Sequence, residues 1–372
     1  MQTLQRGRAA RCLPAAATLV LFLVSPISAT AKAGDQHINL FEQPAIQSSL
    51  AERSLMLSVA TAGERLVAVG ERGFILISDD QGASWTQVVS PVSVTLTRVQ
   101  FPTSSDGWAV GHAGVVLHSG DGGRSWALQF DGQRAARKTL DAAEADTGPN
   151  AEERLAEAQR LVDEGPDKPF LDLHFFDNRR GIVVGAYGLA FTTDDGGQSW
   201  RSISASLDNP SALHLYDVLA LPRALIIVGE QGLILRSIDG GRSFRALNSP
   251  ATGTLFGVVG TSEDGLLAYG LRGGAYRSDD LGETWQAVPD RRAATLTSGA
   301  RLSTGDLVLA DESGALHISH DGGASFQLLP APETGVLTDI AELNDGRLAV
   351  ASPHGVFLVS PQASNRSAVR EQ

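Results

Sequence analysis

Six aspartates recur in one fixed setting: Asp80, Asp121, Asp195, Asp239, Asp280 and Asp321 are each the third residue of Ser/Thr-x-Asp-x-Gly-x-Ser/Thr-Trp/Phe. Acidic turns of this kind invite a calcium reading. An EF-hand loop, however, needs more oxygen ligands and a glutamate several residues past its glycine, and none of the six copies supplies them. A turn-holding role is therefore expected for these aspartates, with no metal and no cofactor. Elsewhere there is no GxSxG elbow, no HExxH pair and no phosphate-binding glycine loop, so no catalytic set is expected. The eight histidines are scattered. Glu71, Glu230, Asp311 and Glu312 fall in turns of one kind, so a glycosidase-like carboxylate pair is the alternative to keep. Arg72 and Arg272 in the same kind of turn have the fork geometry that grips a carboxylate. Together with His112, Tyr187, Glu230 and His354 they form the candidate recognition surface. The plainer reading is turn residues with solvated side chains.

The elements that must position these residues follow from the spacing of the six boxes. They begin at Ser78, Ser119, Thr193, Ser237, Ser278 and Ser319, in steps of 41, 74, 44, 41 and 41. One more step of 41 reaches Ser360, at the end of a strand-like run that has lost its box. A period near forty with strand-and-turn patterning implies propeller blades. Each box lies between two short apolar runs and reads as a hairpin turn. The Asp accepts from backbone N–H groups of its own turn, the Gly takes a conformation other residues avoid, and the aromatic residue buries against a neighbouring unit. Each unit reads as four strands, a to d from the channel outward; in unit four they are 213–221, 224–229, 233–236 and 244–247. The expected fold is all-β, a seven-bladed propeller of four-stranded antiparallel blades over residues 34–360. Unit seven lacks a d strand, and residues 38–47 are expected to replace it and close the ring.

Alternating strand directions put the b–c turns and the d–a connections on one face and the boxes on the other. The 74-residue step carries 33 extra residues in a d–a connection, so they rise from the b–c face. Residues 131–168 read as a helical hairpin between blades two and three. Asn150 and Glu153 resemble a capping box, Leu155, Ala158 and Val162 share one side, and Gly165-Pro166 stops the second helix.

The 372 residues would suffice for two average domains, but the repeat argues for one. Residues 1–33 read as a cleaved secretory signal: Arg6, Arg8 and Arg11, an apolar run, then Ala31-Lys32-Ala33. The only cysteine, Cys12, lies in it, so the remainder holds no disulfide. Without that segment 26 basic residues face 42 acidic ones, a net charge of −16, which disfavours nucleic acid as a partner. Residues 361–372 read as a polar tail.

The box, as in Ser78–Trp85 and Ser278–Trp285, resembles the bacterial neuraminidase or Asp-box repeat. With the Val-Gly-x-x-Gly lead-in of Val228–Ser237 it is similar to the photosystem II stability/assembly factor propellers. That resemblance covers roughly residues 55–360, essentially the whole chain after the expected signal. It implies a non-enzymatic lumenal or periplasmic protein that assists assembly of a membrane complex; with the signal segment the expectation is a periplasmic monomer that binds a protein partner. The helical insertion and the missing seventh box depart from the family's simplest form. True sialidases open with Arg-Ile-Pro and use an arginine triad with a Tyr/Glu pair. That opening element is absent, and no tyrosine has an identifiable glutamate partner. A carbohydrate-active propeller is the second reading, and a small ligand in the central channel a third.

Overall fold

The structure, a computed structural model, describes residues 41–289, 293–332 and 335–361. The expected signal segment and all but the first residue of the expected tail lie outside these residues.

The described residues form seven antiparallel sheets in sequence order, six of four strands and one of three. Blade two is typical, with strands Leu96–Gln100, Gly107–Gly111, Val116–Ser119 and Ala127–Phe130 paired in that order. The inner strands a of the other blades are Met56–Ala62, Phe170–Phe175, Leu215–Leu221, Leu255–Gly260, Leu296–Arg301 and Asp339–Glu342. In all seven blades every residue of strand b is buried. A strand covered on both faces needs no polar alternation, and these runs are accordingly apolar apart from Arg65, Asp311 and Ser352 at their ends. Successive blades share apolar clusters, and each box aromatic packs in the cluster formed with the preceding blade: Trp126 on blade one, Trp200 on blade two, Phe244 on blade three, Trp285 on blade four, Phe326 on blade five. Full burial of a side chain of this kind contributes roughly 1.5–3 kcal/mol.

The ring closes in the same manner. Trp85 of blade one joins the cluster containing Ala349, Ala351 and Leu358 of blade seven. Blade seven keeps three strands, Asp339–Glu342, Leu348–Ser352 and Gly355–Val359. The expected exchange strand is not formed by its described part: Phe41–Gln47 contains no strand. This segment instead follows the outer edge of blade one, where Ala45 N donates to Ser90 O at 3.1 Å and Gln87 Nε2 donates to Ile46 O at 2.7 Å. Face-to-face packing with a box aromatic already joins blade seven to blade one, so closure does not require a borrowed strand.

The insertion is two helices, α1 (Gly132–Glu144) and α2 (Ala151–Glu164), between strand d of blade two and strand a of blade three. Asp131 caps α1, accepting from Arg134 N at 2.9 Å. At α2 the expected capping box is absent: Asn150 is left-handed with φ 62° and its side chain makes no cap. The buried side of α2 also differs from the expectation. Ala158 is buried and Leu161 packs on the aromatic cluster of blades two and three, while Leu155 is exposed. The hairpin's base sits on the b–c turn of blade two through two glycines. A Cβ at Gly114 would lie 2.7 Å from Gly132 Cα, and one at Gly132 would lie 2.7 Å from Ala113 O.

Candidate partner-binding face

The boxes form the lower face. In blade four Ser237 Oγ donates to Asp239 Oδ1 at 2.7 Å, Ser243 N donates to the same oxygen at 3.1 Å, and Ser243 Oγ donates to Oδ2 at 2.7 Å. Gly241 N closes the loop on Ser237 Oγ at 2.9 Å. Asp80, Asp121, Asp195, Asp280 and Asp321 repeat these bonds with their own hydroxyls. Hydrogen bonds from Ser84 and Ser78 hold the Asp80 carboxyl down at about 2. Among the described residues no group of three or more His, Cys, Asp or Glu is placed to hold a metal.

The upper face carries the b–c turns, and five of them share one backbone form. Arg72, Ala113, Tyr187, Gln231 and Arg272 each have φ of 55–56° and each is followed by a left-handed glycine. Arg72, His112, Tyr187, Glu230, Arg272 and His354 therefore stand in the turns of blades one, two, three, four, five and seven. Most of them are spread around the rim. Only Tyr187 and Glu230 converge, and they do so through a residue the sequence reading did not single out. The ring of His214, just before strand a of blade four, lies 4.9 Å from the Tyr187 ring, and the His214 backbone N–H donates to Glu230 Oε2 at 3.2 Å.

The acids considered for glycoside chemistry are engaged within their own blades. Glu71 Oε1 accepts from Leu55 N at 3.2 Å and Glu312 Oε1 from Thr295 N at 2.9 Å, as Glu230 does from His214. Asp311 accepts from Ser313 N and Ala315 N and contacts His317 Nε2 at 2.9 Å. Glu71 and Glu230 belong to blades one and four, so they do not make a pair.

A groove of about 280 Å³ runs between the helical hairpin and the blade three to blade four connection. Thr139, Ala142, Arg154, Leu161, Lys168, Tyr187, Leu207 and Asn209 are among the residues lining it. Lys168 is buried, pairs with Glu164 at 3.0 Å and Asp167 at 2.5 Å, and lies 5.2 Å from the Tyr187 ring centre. Burial opposes its charge, but the two carboxylates outweigh burial and raise its pKa. From Tyr187 a line of rings leads inward: His214, then Tyr216 at 6.4 Å, then Phe256 at 5.1 Å. Tyr216 and Phe256 also line the central channel, a cavity of about 340 Å³.

Within the channel the third residues of the seven inner strands, counted from the buried Met56, Leu96, Phe170, Leu215, Leu255, Leu296 and Leu337, form a belt: Ser58, Arg98, Asp172, Asp217, Gly257, Ser298 and Asp339. Four of them accept the next blade's backbone N–H. Ser58 accepts from Val99, Asp172 from Val218, Asp217 from Val258 and Asp339 from Val59, at 2.7–3.2 Å. Arg98 cannot accept, and instead pairs with Asp339 at 2.8 Å and Asp172 at 3.1 Å. These pairs, Asp339 foremost, hold its guanidinium charged. Tyr269 fills the position opposite Gly257, where an added Cβ would lie 2.1 Å from its hydroxyl. A polar residue two positions after that buried residue in six of the seven blades is the signal that could have found the belt.

The profile of the family described as Photosynthesis system II assembly factor YCF48 matches residues 152–367. Comparison with curated protein sequences gives no match. Among solved structures, YCF48 bound to D1 peptide aligns with a TM-score of 0.61 at 18% identity, covering 85% of this chain and 98% of that one. YCF48 from Cyanidioschyzon merolae gives 0.61 at 16%, covering 86% and 99%. The WD40 propeller domain of Doa1 gives 0.59 at 11%, covering 87% and 97%. At these identities the likeness is one of fold.

Proposed function

Since the chain belongs to the YCF48 photosystem II assembly factor family, we propose that it is an exported, non-catalytic propeller that holds a segment of a membrane protein during assembly of its complex. One solved relative is described as bound to D1 peptide, which supports a peptide-binding role for this fold. The observation that carries the reading here is the continuous surface from the hairpin groove along Tyr187, His214 and Tyr216 to the channel mouth. A line of tilted and edge-on rings and a buried lysine offer an extended chain both apolar contact and backbone hydrogen bonding at low entropic cost. Arg72, His112, Arg272 and His354 widen that face around the rim, and the box face serves the scaffold. Its compartment is proposed to be the periplasm, reached through the segment at residues 1–33.

The test is affinity capture by the protein without residues 1–33 from gently solubilised membranes of its own host. A membrane-complex subunit should be retained. Retention should fall with Tyr187→Ala combined with His214→Ala, and persist with Arg124→Ala on the box face. Equal retention by all three proteins would remove the upper face from the reading. Release of chromogenic sugar from glycosides, lost on Glu230→Gln, would replace it with the carbohydrate-active one.

A further inference from the structure

The groove beside the helical hairpin has an apolar floor. Ala143, Ala158 and Leu207 are buried along it, Leu161 is partly so, and the Tyr187 ring lines it while remaining 55% exposed. Its volume of about 280 Å³ is close to the roughly 300 Å³ at which ligand pockets begin. Three bases line the groove, and each already stands beside an acid. Arg154 Nε donates to Asp146 Oδ2 at 2.5 Å, Arg160 Nε lies 3.9 Å from Glu164 Oε1, and Lys168 Nζ lies 3.0 Å from Glu164 Oε2. Arg154 and Arg160 are each three positions from Glu157 on α2, a spacing at which helical side chains meet, yet both turn away from it. Among the described residues the side chains of Glu153 and Glu157, exposed and one helical turn apart on the groove wall, have no ion pair and accept no hydrogen bond. In the opposite wall the Asp208 carboxylate accepts only the Ala246 N–H, at 3.2 Å.

We propose that this groove seats an apolar side chain from a cationic segment of a partner protein, with flanking lysines or arginines against Glu153 and Glu157. The proposal rests on the reading of the upper face as partner-binding and names the chemistry of what docks there. An acidic segment would meet three carboxylates and find every base of the groove engaged. A segment with no charge would cover the floor and draw nothing from the rim. Lysine and arginine have apolar stems, so they lie along the lip at Ala142 and Ala205 while their charged heads stay in water beside the glutamates. The protein carries a formal net charge of −12, which steers a cationic segment toward it. Because both glutamates are exposed, they set the rate of encounter and the choice of partner, and the apolar floor supplies most of the grip.

The test is selection of random peptides displayed on phage by the protein lacking residues 1–33. The library is first depleted on the Ala142→Trp variant, whose indole fills the groove from an exposed position of α1, so that the survivors are groove binders. Survivors should combine a large apolar residue with lysine or arginine and be poor in acids. A synthetic copy of the most frequent survivor is then titrated by fluorescence anisotropy. Its affinity should fall about fivefold in Glu153→Gln combined with Glu157→Gln, as two exposed ion pairs allow. Added salt should weaken binding to the parent and change binding to that double variant much less. All three substitutions are at exposed positions, so melting should match the parent. No survivors, survivors no richer in lysine and arginine than the library, or equal affinity for the parent and the folded double variant would each overturn the proposal. A parent dimer in sedimentation that is lost in Ala142→Trp would overturn it too, by giving the groove to a second copy. Membrane-complex capture is read separately. If capture persists in both groove variants but falls with Tyr187→Ala and His214→Ala, the upper-face reading stands and the groove alone is removed. If the parent captures no membrane-complex subunit while cationic survivors still bind, that reading fails and the groove chemistry holds.

Discussion

A carboxylate that accepts several hydrogen bonds is acidic because protonation would break them. Asp80 and Asp321 sit at about 2 for this reason, with the hydroxyls of Ser84 and Ser325 the largest contributors, and Asp239 lies lower still. The unfolded chain titrates its aspartates near 3.8. Their folded-state pKa is depressed, so the boxes contribute stability that is complete above that value and lost as pH falls through about 2. A protein carrying Asp80→Asn, Asp239→Asn and Asp321→Asn should show a flatter melting temperature between about pH 4 and pH 2 than the parent. An equal slope would mean that the boxes do not hold their aspartates ionised. The b–c turns make the opposite point. Arg72 and Arg272 occupy left-handed backbone that costs a non-glycine residue about 1–2 kcal/mol. Replacing both with glycine should leave melting at or above the parent value while weakening capture of a partner that contacts them.

At the scale of elements, the blades were readable because each is built from contacts between neighbours in the chain. Strand b of blade four runs Ala224–Gly229, with the bounds its apolar run suggests, and the glycines after it mark the turn. The insertion was readable as two helices for the same reason. What was missed is what depends on the surface the helices meet. Leu155 shares a helical side with Ala158, but α2 buries Ala158 and packs Leu161 on the aromatic cluster around Phe130 and Trp200, leaving Leu155 exposed. Asn150 precedes a plausible capping box, yet the sharp turn between the helices takes it left-handed and out of capping geometry. The cap that forms is Asp131 at the start of α1, where the side chain also pairs with Arg134 Nε at 3.1 Å. Asp131→Ala should cost about 0.5–2 kcal/mol. Its effect should appear first as faster amide exchange in Gly132–Ala136, with the blades' strand b amides unchanged. Uniform acceleration throughout the ring would instead tie the hairpin to global stability.

At the scale of the whole molecule, closure is where local reading failed. An open ring needs a device to join its ends, and residues 38–47 were the natural candidate. The seam between blades one and seven uses other means: the Trp85 cluster, Thr338 Oγ1 on Met56 O at 2.7 Å, and above all Asp339. Asp339 is 3% exposed and accepts from Ser58 Oγ at 2.7 Å, Val59 N at 3.1 Å, Arg98 Nη1 at 2.8 Å and Ser298 Oγ at 3.2 Å. It thereby joins blades one, two and six to blade seven. No single-strand pattern could announce this, because its partners lie as far as 281 residues away. Removing one partner of a buried ion pair leaves the other uncompensated and costs about 3–5 kcal/mol. Asp339→Ala should cost less than that, since Arg98 is 38% exposed and keeps Asp172, while the Val59 N–H loses its acceptor. Asp339→Asn, which keeps one oxygen, should cost less still. Arg98→Met combined with Asp339→Ala should cost less than the two single changes added together, because neither residue then leaves the other unpaired, although Asp172 loses its cation. If the double variant were as unstable as the sum of its parts, Asp339 would act through the seam backbone alone and the belt would not be one electrostatic unit.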